Sequence, residues 1–451
     1  MPESAVRQRD EGQIGLIGAA SIGVGGMIGA GIFSILGVVG TSAGSIAWLG
    51  FLCSGVLALI CAYSFAKLGA VFPSSGGPVE FLLRGFGNNL LSGSLSLMLW
   101  LGYILALALY ASAFASYSVA LIGQSGTVSS QSTSASGWMH SVIAVSVVGF
   151  FLVLNIMGAA VVGRAEGLIV AVKLLILLGF VLVVAFSVKP ELLGPEHWEP
   201  TTSIVTGIGV TFLAFEGFGL ITNAAGDMKD PAKTLPRALY LAVVLTTIVY
   251  VAVALVAFGT LTAEEIVKKK EYALAAAAEP MMGNVGFIVM SIAALFSTAS
   301  AINATLFGGA NVSVKAASDR QLPQLLDRTL WQGSSVALYV TAGIVALLAA
   351  LVPLESIANT GSAAFLLIYA GVCAAHLRLQ DQTEGRAWLI WAGIVGCALM
   401  FALLLIHLIR SDVPSAIGLS GLIGLSVGSE WVYRRIRGAT SARPGIDQRQ
   451  A

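Results

Sequence analysis

The stretch Ile14–Val39 reads IGLIGAASIGVGGMIGAGIFSILGVV, with Gly23, Gly25, Gly26, Gly29 and Gly31 crowded into nine residues. It is long and apolar enough to cross a membrane, which takes about 20 mainly apolar residues. Each interior glycine weakens a helix by about 1 kcal/mol relative to alanine, so five of them need a reason. Gly25 and Gly29, four apart, fit close helix packing of the small-xxx-small type. Packing alone rarely needs three further glycines beside them. The sharper expectation is a helix broken over Gly25–Gly31, with its freed backbone groups facing a cavity near the bilayer midplane. The spacing does not match G-x-G-x-x-G and no strand precedes it, so a dinucleotide site is not implied.

The rest of the chain agrees with a membrane setting. Of 451 residues, 57% are hydrophobic and only 10% are charged. Roughly a quarter of an ordinary soluble domain is charged. A globule of this size has too little interior for that much apolar surface, and lipid is the solvent that tolerates it. A net charge of +1 leaves no basic face for nucleic acid. Cys53, Cys61, Cys373 and Cys397 lie in apolar runs without metal-ligand spacing and read as small buried hydrophobes. The four histidines are far apart in sequence, and neither a cofactor nor a metal is called for.

Twelve apolar runs are candidate spans: 13–38, 44–70, 88–123, 138–160, 166–188, 203–226, 236–260, 283–315, 335–353, 356–377, 386–408 and 413–435. The predicted class is an all-α polytopic membrane protein. With the N-terminus in the cytoplasm, eighteen Lys and Arg fall on the cytoplasmic side and five on the outside, with Lys173 within a span. That bias fixes the orientation in a cell (inner) membrane, with both termini in the cytoplasm. The first ten residues, MPESAVRQRD, are polar and do not read as a cleavable signal peptide. Residues 123–137 form a Ser/Thr-rich external loop, and 264–280 form an external helical patch ended by Pro280.

Span six, IVTGIGVTFLAFEGFGLITNAAGD, repeats the glycine theme, with Gly217 and Gly219 beside Glu216 in mid-membrane. A charge there is expensive and faces a cavity or a partner. Glycine-interrupted spans at positions one and six, five apart, are the pointer to an inverted-repeat transporter with its site between them. Lys173 lies about 10 Å into span five at 1.5 Å per residue. It is either a lysine whose ammonium snorkels to the interface or a buried amine that gains and loses a proton during a cycle. The second is the stronger reading, because the surrounding sequence, GRAEGLIVAVKLLILLGF, is apolar on every side of the stem. In span eight, Ser297, Thr298, Ser300 and Asn303 are polar on an apolar helix, a pattern more often explained by bonds back to the helix carbonyls. Span ten has a polar interruption at Asn359–Ser362.

GMIGAGIF in span one, FEGFG and KDPAKTLPRAL around span six, and SAINATLFGGANVSVKAASDRQLP in span eight together resemble the amino acid permeases of the amino acid–polyamine–organocation superfamily. GRAEGLIVAVKLL in span five is similar in particular to the prokaryotic proton-coupled, broad-specificity members. The resemblance covers about residues 13–435. It implies a five-plus-five inverted repeat of the LeuT type, with repeats at 13–188 and 203–377 and helices eleven and twelve at 386–435. Short tails at 1–12 and 436–451 complete the chain. It also implies that Ile28, Gly29, Ala30 and Gly31 offer amides to a substrate carboxylate. Phe215, Glu216, Gly217 and Gly219 lie in the matching stretch of span six, whose carbonyls would accept the substrate ammonium. Lys173 would occupy the place of a coupling cation, against Gly25, Ile28 and Ser297. Glu216 departs from the family pattern, which is typically apolar at that position. It is either ionised and selective for cationic substrates, protonated with neutral cargo, or packed away from the site.

The reading is a secondary active transporter, not an enzyme, that takes up amino acids with protons. Its partners are the substrate, protons and the lipid bilayer. An exchanger of amino acids or polyamines is the alternative on the same fold. An intramembrane enzyme would need a nucleophile–base pair or metal cluster within the spans, and none is visible.

Overall fold

The apolar runs fold as helices because a backbone in lipid must satisfy its hydrogen bonds within its own segment. The computed structural model describes residues 14–124, 133–157, 160–195, 198 and 207–441. The tail 1–12, most of the Ser/Thr-rich loop, the start of span six at 203–206 and the end of the C-terminal tail lie outside the described residues. In chain order come α1 (Leu16–Ala43), α2 (Ala47–Val71), the short α3 (Pro78–Phe86), α4 (Leu90–Gln124), α5 (Thr133–Met157) and α6 (Ala160–Val184). Span six follows in pieces: α7, described over 207–211, a 3-10 turn at Phe212–Phe215, and α8 (Phe218–Asn223). Then come α9 (Pro231–Thr260), α10 (Ala263–Lys268), α11 (Ala273–Ser318), α12 (Val336–Leu351), α13 (Leu354–Arg378), α14 (Gln380–Thr383), α15 (Ala387–Ser411) and α16 (Val413–Ser441).

Nine of the described helices are long and apolar enough to cross a membrane, and Gly207–Asn223 and Val336–Leu351 are shorter apolar helices. Each expected run overlaps one of these elements or α16. The protein is an all-helical, polytopic membrane protein. Leu168, Leu175, Leu178 and Leu182 on α6, and Trp388, Val395 and Leu399 on α15, point out of the bundle. Apolar faces on that scale are where lipid would lie.

At the centre runs α1, buried along nearly all its length and packed against α6, α8, α9 and α11. Here the structure corrects the sequence reading. α1 is a single helix from Leu16 to Ala43 and passes through all five glycines without a break. The glycines act by what they lack. A Cβ on Gly29 would lie 2.7 Å from the Ala301 Cβ and 2.9 Å from the Ser297 carbonyl oxygen of α11. One on Gly31 would fall on the Tyr250 hydroxyl and lie 2.8 Å from the Ala214 carbonyl oxygen. Three neighbours press onto about two and a half turns of helix, which is why packing alone needs so many glycines here.

The closest approach is to span six. A Cβ on Gly217 would stand 2.5 Å from the Met27 amide nitrogen and 2.6 Å from the Gly26 carbonyl carbon, so the two backbones touch. Gly217→Ala is therefore expected to cost about 1–3 kcal/mol through overpacking. Gly179→Ala in α6, where a Cβ meets nothing within 4 Å, serves as the control and should be neutral or slightly stabilising. Thermal melting of both variants in detergent checks this: a Gly217→Ala melt equal to wild type would mean that the contact is not made.

A second correction concerns α11. The external patch was expected to end at Pro280, but Pro280 lies inside the helix and the bend comes at Gly283, with φ 59° and ψ −153°. That conformation is open to glycine and strained for other residues. The proline is followed by two residues, Met281 and Met282, before the chain finds the residue that can turn.

Candidate functional site

Span six breaks by tightening. The Glu216 amide donates to the Leu213 carbonyl (3.1 Å), Gly219 to Glu216 (3.0 Å) and Leu220 to Gly217 (3.2 Å), all three-residue bonds. Such a stretch inside a membrane span marks strain or a hinge. The expected interruption is thus present, although Gly217 keeps right-handed helical angles.

Glu216 is 1% exposed. Tyr110 of α4 donates to its Oε1 at 2.6 Å, while Oε2 is buried without a hydrogen-bond partner among the described residues. Tyr369 of α13 donates to the Glu216 backbone carbonyl at 2.8 Å. The Tyr369 ring packs on Phe65, Phe212 and Phe218, with centroids 4.9, 5.6 and 5.1 Å away, and that cluster fixes its hydroxyl. Tyr250 of α9 places its hydroxyl against both the Met27 carbonyl of α1 and the Ala214 carbonyl of span six. An apolar cage holds one carboxyl group, and one of its oxygens meets no donor among the described residues.

Lys173 of α6 is also 1% exposed and does not snorkel. Its Nζ donates to the Gly25 carbonyl of α1 at 2.9 Å. Three residues along α1, the Ile28 carbonyl accepts from Ser297 of α11 at 3.2 Å. Lys173, Gly25, Ile28 and Ser297 therefore come together at the junction of α1, α6 and α11.

An amino acid permease family model matches residues 14–427 of this chain. The chain belongs to the amino acid permease family. An uncharacterized protein of Methanocaldococcus jannaschii is 37% identical over 93% of this chain and 94% of its own length. The inner membrane transport protein YbaT of Escherichia coli is 32% identical, covering 94% of this chain and 96% of YbaT. The branched-chain amino acid permease BcaP of Bacillus subtilis is 25% identical over 87% of each chain. The permease is a transporter of the amino acid–polyamine–organocation superfamily, not an enzyme.

The remaining candidates fall as follows. Ile28, Gly29 and Gly31 lie inside the unbroken α1, buried against α9, α11 and span six, while the side chain of Ala30 lies outside the described residues. Thr298 bonds back to the Ala294 carbonyl at 2.7 Å, as a polar residue on an apolar helix commonly does, but Ser297 does not. In the span-ten interruption, Ser362 donates to the Gly209 carbonyl of α7 and Asn359 to Asp412 at 2.8 Å, with α13 continuous throughout. The sequence reading missed the tyrosines. Tyr103, Tyr110 and Tyr117 are seven apart on α4 and all buried, a stripe visible in the sequence as three aromatics on one helix face.

The two ends of the bundle differ. At the end that carries α3, Lys315 bridges Glu80 (3.2 Å) and Asp319 (3.1 Å), and Arg84 holds Glu80 at 2.6 Å. Burial works against a charge on Glu80, yet Arg84 and Lys315 keep its carboxyl below the usual carboxylate range. A depressed value means that this contact contributes at neutral pH and is lost as pH falls through it. At the other end a cavity of about 880 Å³ is lined by Ser112, Ser116, His140, Lys269, Glu271 and Glu279 among others.

Proposed function

We propose that this permease takes up neutral amino acids across the cell membrane in symport with protons, by alternating access at a site between α1 and the span-six turn. The observation that carries the reading is the Lys173 ammonium on the Gly25 carbonyl, 2.9 Å away at the junction of α1, α6 and α11. A fixed ammonium that joins α1 to its neighbours does there what a bound sodium ion would do, and a proton is the ion that it can exchange. In this reading the positive-inside bias puts both termini in the cytoplasm, and residues 13–188 and 203–377 are two inverted five-helix repeats.

The Ile28–Gly31 segment takes the substrate carboxylate. The Gly25, Met27 and Ile28 carbonyls already accept bonds from Lys173, Tyr250 and Ser297. The amides four residues on, at Gly29, Gly31 and Ile32, therefore meet competition for their helical acceptors and are the donors of α1 best turned toward an anion. Phe215–Gly219 takes the ammonium. Glu216, protonated in the loaded state, adds a hydrogen bond without adding a charge, so neutral cargo is favoured. The name of the branched-chain permease relative points the same way.

The test is uptake of a panel of labelled amino acids into proteoliposomes under an inward proton gradient, without sodium, and with or without internal substrate. Gradient-driven accumulation without sodium or internal substrate is the expected result. A requirement for sodium, or for internal substrate, overturns symport with protons.

A further inference from the structure

From Glu216 toward the α3 end, the span-six turn and α8 carry Glu216, Gly219 and Asn223, three and then four residues apart. Four buried polar atoms along it have no hydrogen-bond partner among the described residues: Glu216 Oε2, the Tyr103 hydroxyl of α4, and both side-chain atoms of Asn223, Oδ1 and Nδ2. Leaving such groups unpaired costs about 1–3 kcal/mol each, so a run of four on one strip calls for an occupant. Two glycines border the strip. A Cβ on Gly219 would lie 3.5 Å from the Tyr103 hydroxyl, and one on Gly308 would lie 3.7 Å from Asn223 Nδ2. At the far end, Gly77, with φ +44°, backs onto Asn223 Oδ1 in the turn that leads into α3. The Tyr103 hydroxyl and the Asn223 side chain lie close enough to interact, but outside normal hydrogen-bond geometry. Buried polar groups without well-formed partners are where ordered water is found, since buried waters typically make about three hydrogen bonds.

We propose that this strip holds a file of water through which Glu216 exchanges its proton with the end of the bundle assigned to the cytoplasm, with Tyr103 and Asn223 as relay residues. The proposal rests on the symport reading and adds a titrating group to it. The step is a proton transfer without redox change. The O–H bond at Glu216 Oε2 breaks and one forms on the adjacent water. Each following oxygen, the Tyr103 hydroxyl included, accepts one proton and passes one on until one leaves past Asn223. A carboxylate remains, held by the Tyr110 hydroxyl. The proposed site assigns neither Tyr103 nor Asn223 to substrate, so the strip can be altered apart from it.

Proteoliposomes with a trapped pH-sensitive dye, given a mixture of labelled leucine, alanine and serine, test this. Two quantities are read: exchange of label at equal pH on both sides, and internal acidification per amino acid taken up. Tyr103→Phe and Asn223→Leu should keep exchange close to wild type while acidification falls about tenfold, the low end for losing a positioned proton-transfer group. Glu216→Gln should lower acidification equally, and adding Tyr103→Phe to it should lower it no further, because both act on one proton. Unchanged acidification in both strip variants, a parallel loss of exchange and acidification, or multiplied effects in the double variant each overturn the proposal. Wild type that exchanges label without acidifying at all overturns the symport reading itself, and this proposal with it.

Discussion

Lys173→Ala is expected to remove uptake driven by an inward proton gradient. The ammonium is buried, its bond to the Gly25 carbonyl is 2.9 Å long, and α1 and α6 meet at that bond. A hydrogen bond to a charged group is worth about 1.5–3 kcal/mol, which corresponds to roughly ten- to 150-fold in uptake. Alanine also empties the space beside α1 and leaves Gly25 without its cross-helix donor. Lys173→Leu refills the volume without restoring charge, so the pair separates packing from chemistry. Uptake restored to wild type by leucine would reduce Lys173 to a space-filling residue. The measurement is initial uptake rate with and without the gradient, normalised to protein that elutes as a single species in detergent.

Glu216 should divide in the same way between its shape and its proton. Glu216→Gln keeps the size of the side chain and an oxygen for Tyr110, so it mimics the protonated acid. Its preference among neutral, cationic and acidic substrates in exchange competition is expected to match wild type. Glu216→Leu leaves the Tyr110 hydroxyl buried and unpaired and strips the span-six turn of its polar group. A loss of about 1–3 kcal/mol follows, or roughly five- to 150-fold weaker substrate binding. A selective loss of cationic substrates in the glutamine variant would instead mean that the loaded site carries a negative charge. A leucine variant with an unaltered profile would place the residue outside the site.

Much of the architecture was open to a reader of the chain because lipid demands long apolar runs, and such runs are local. The span-six interruption was readable for a similar reason: Glu216 between Phe215 and Gly217 has no comfortable place in an unbroken apolar helix. Span one was misread because glycine has two uses that leave the same mark. It frees a backbone to unwind, and it lets another backbone approach, and only the positions of Ala214, Gly217 and Ala301 decide between them. Lys173 was identifiable as a buried amine, but its acceptor is 148 residues away in the chain. The tyrosines escaped for that reason alone. Tyr110, Tyr250 and Tyr369 bond to Glu216, Met27 and Ala214 on two other elements, α1 and span six, and those partners are not written near them in sequence.

The contact between Gly217 and the Gly26–Met27 backbone has a mechanical side. Two helices separated by side chains can slide, since rotamers give; two backbones in direct contact have no such slack. Tyr250 adds a fastener, because the carbonyls of Met27 and Ala214 share its single hydroxyl and parting them would strand one of them in a dry interior. α1 and the span-six turn therefore behave as one stiff arm, with α9 riveted along it. The give in the molecule lies where side chains intervene, at the Lys173 junction with α6 and the Ser297 junction with α11. A transport stroke that swings this arm would carry the proposed carboxylate and ammonium positions together, at fixed separation, while the lysine and the serine register how far it has travelled.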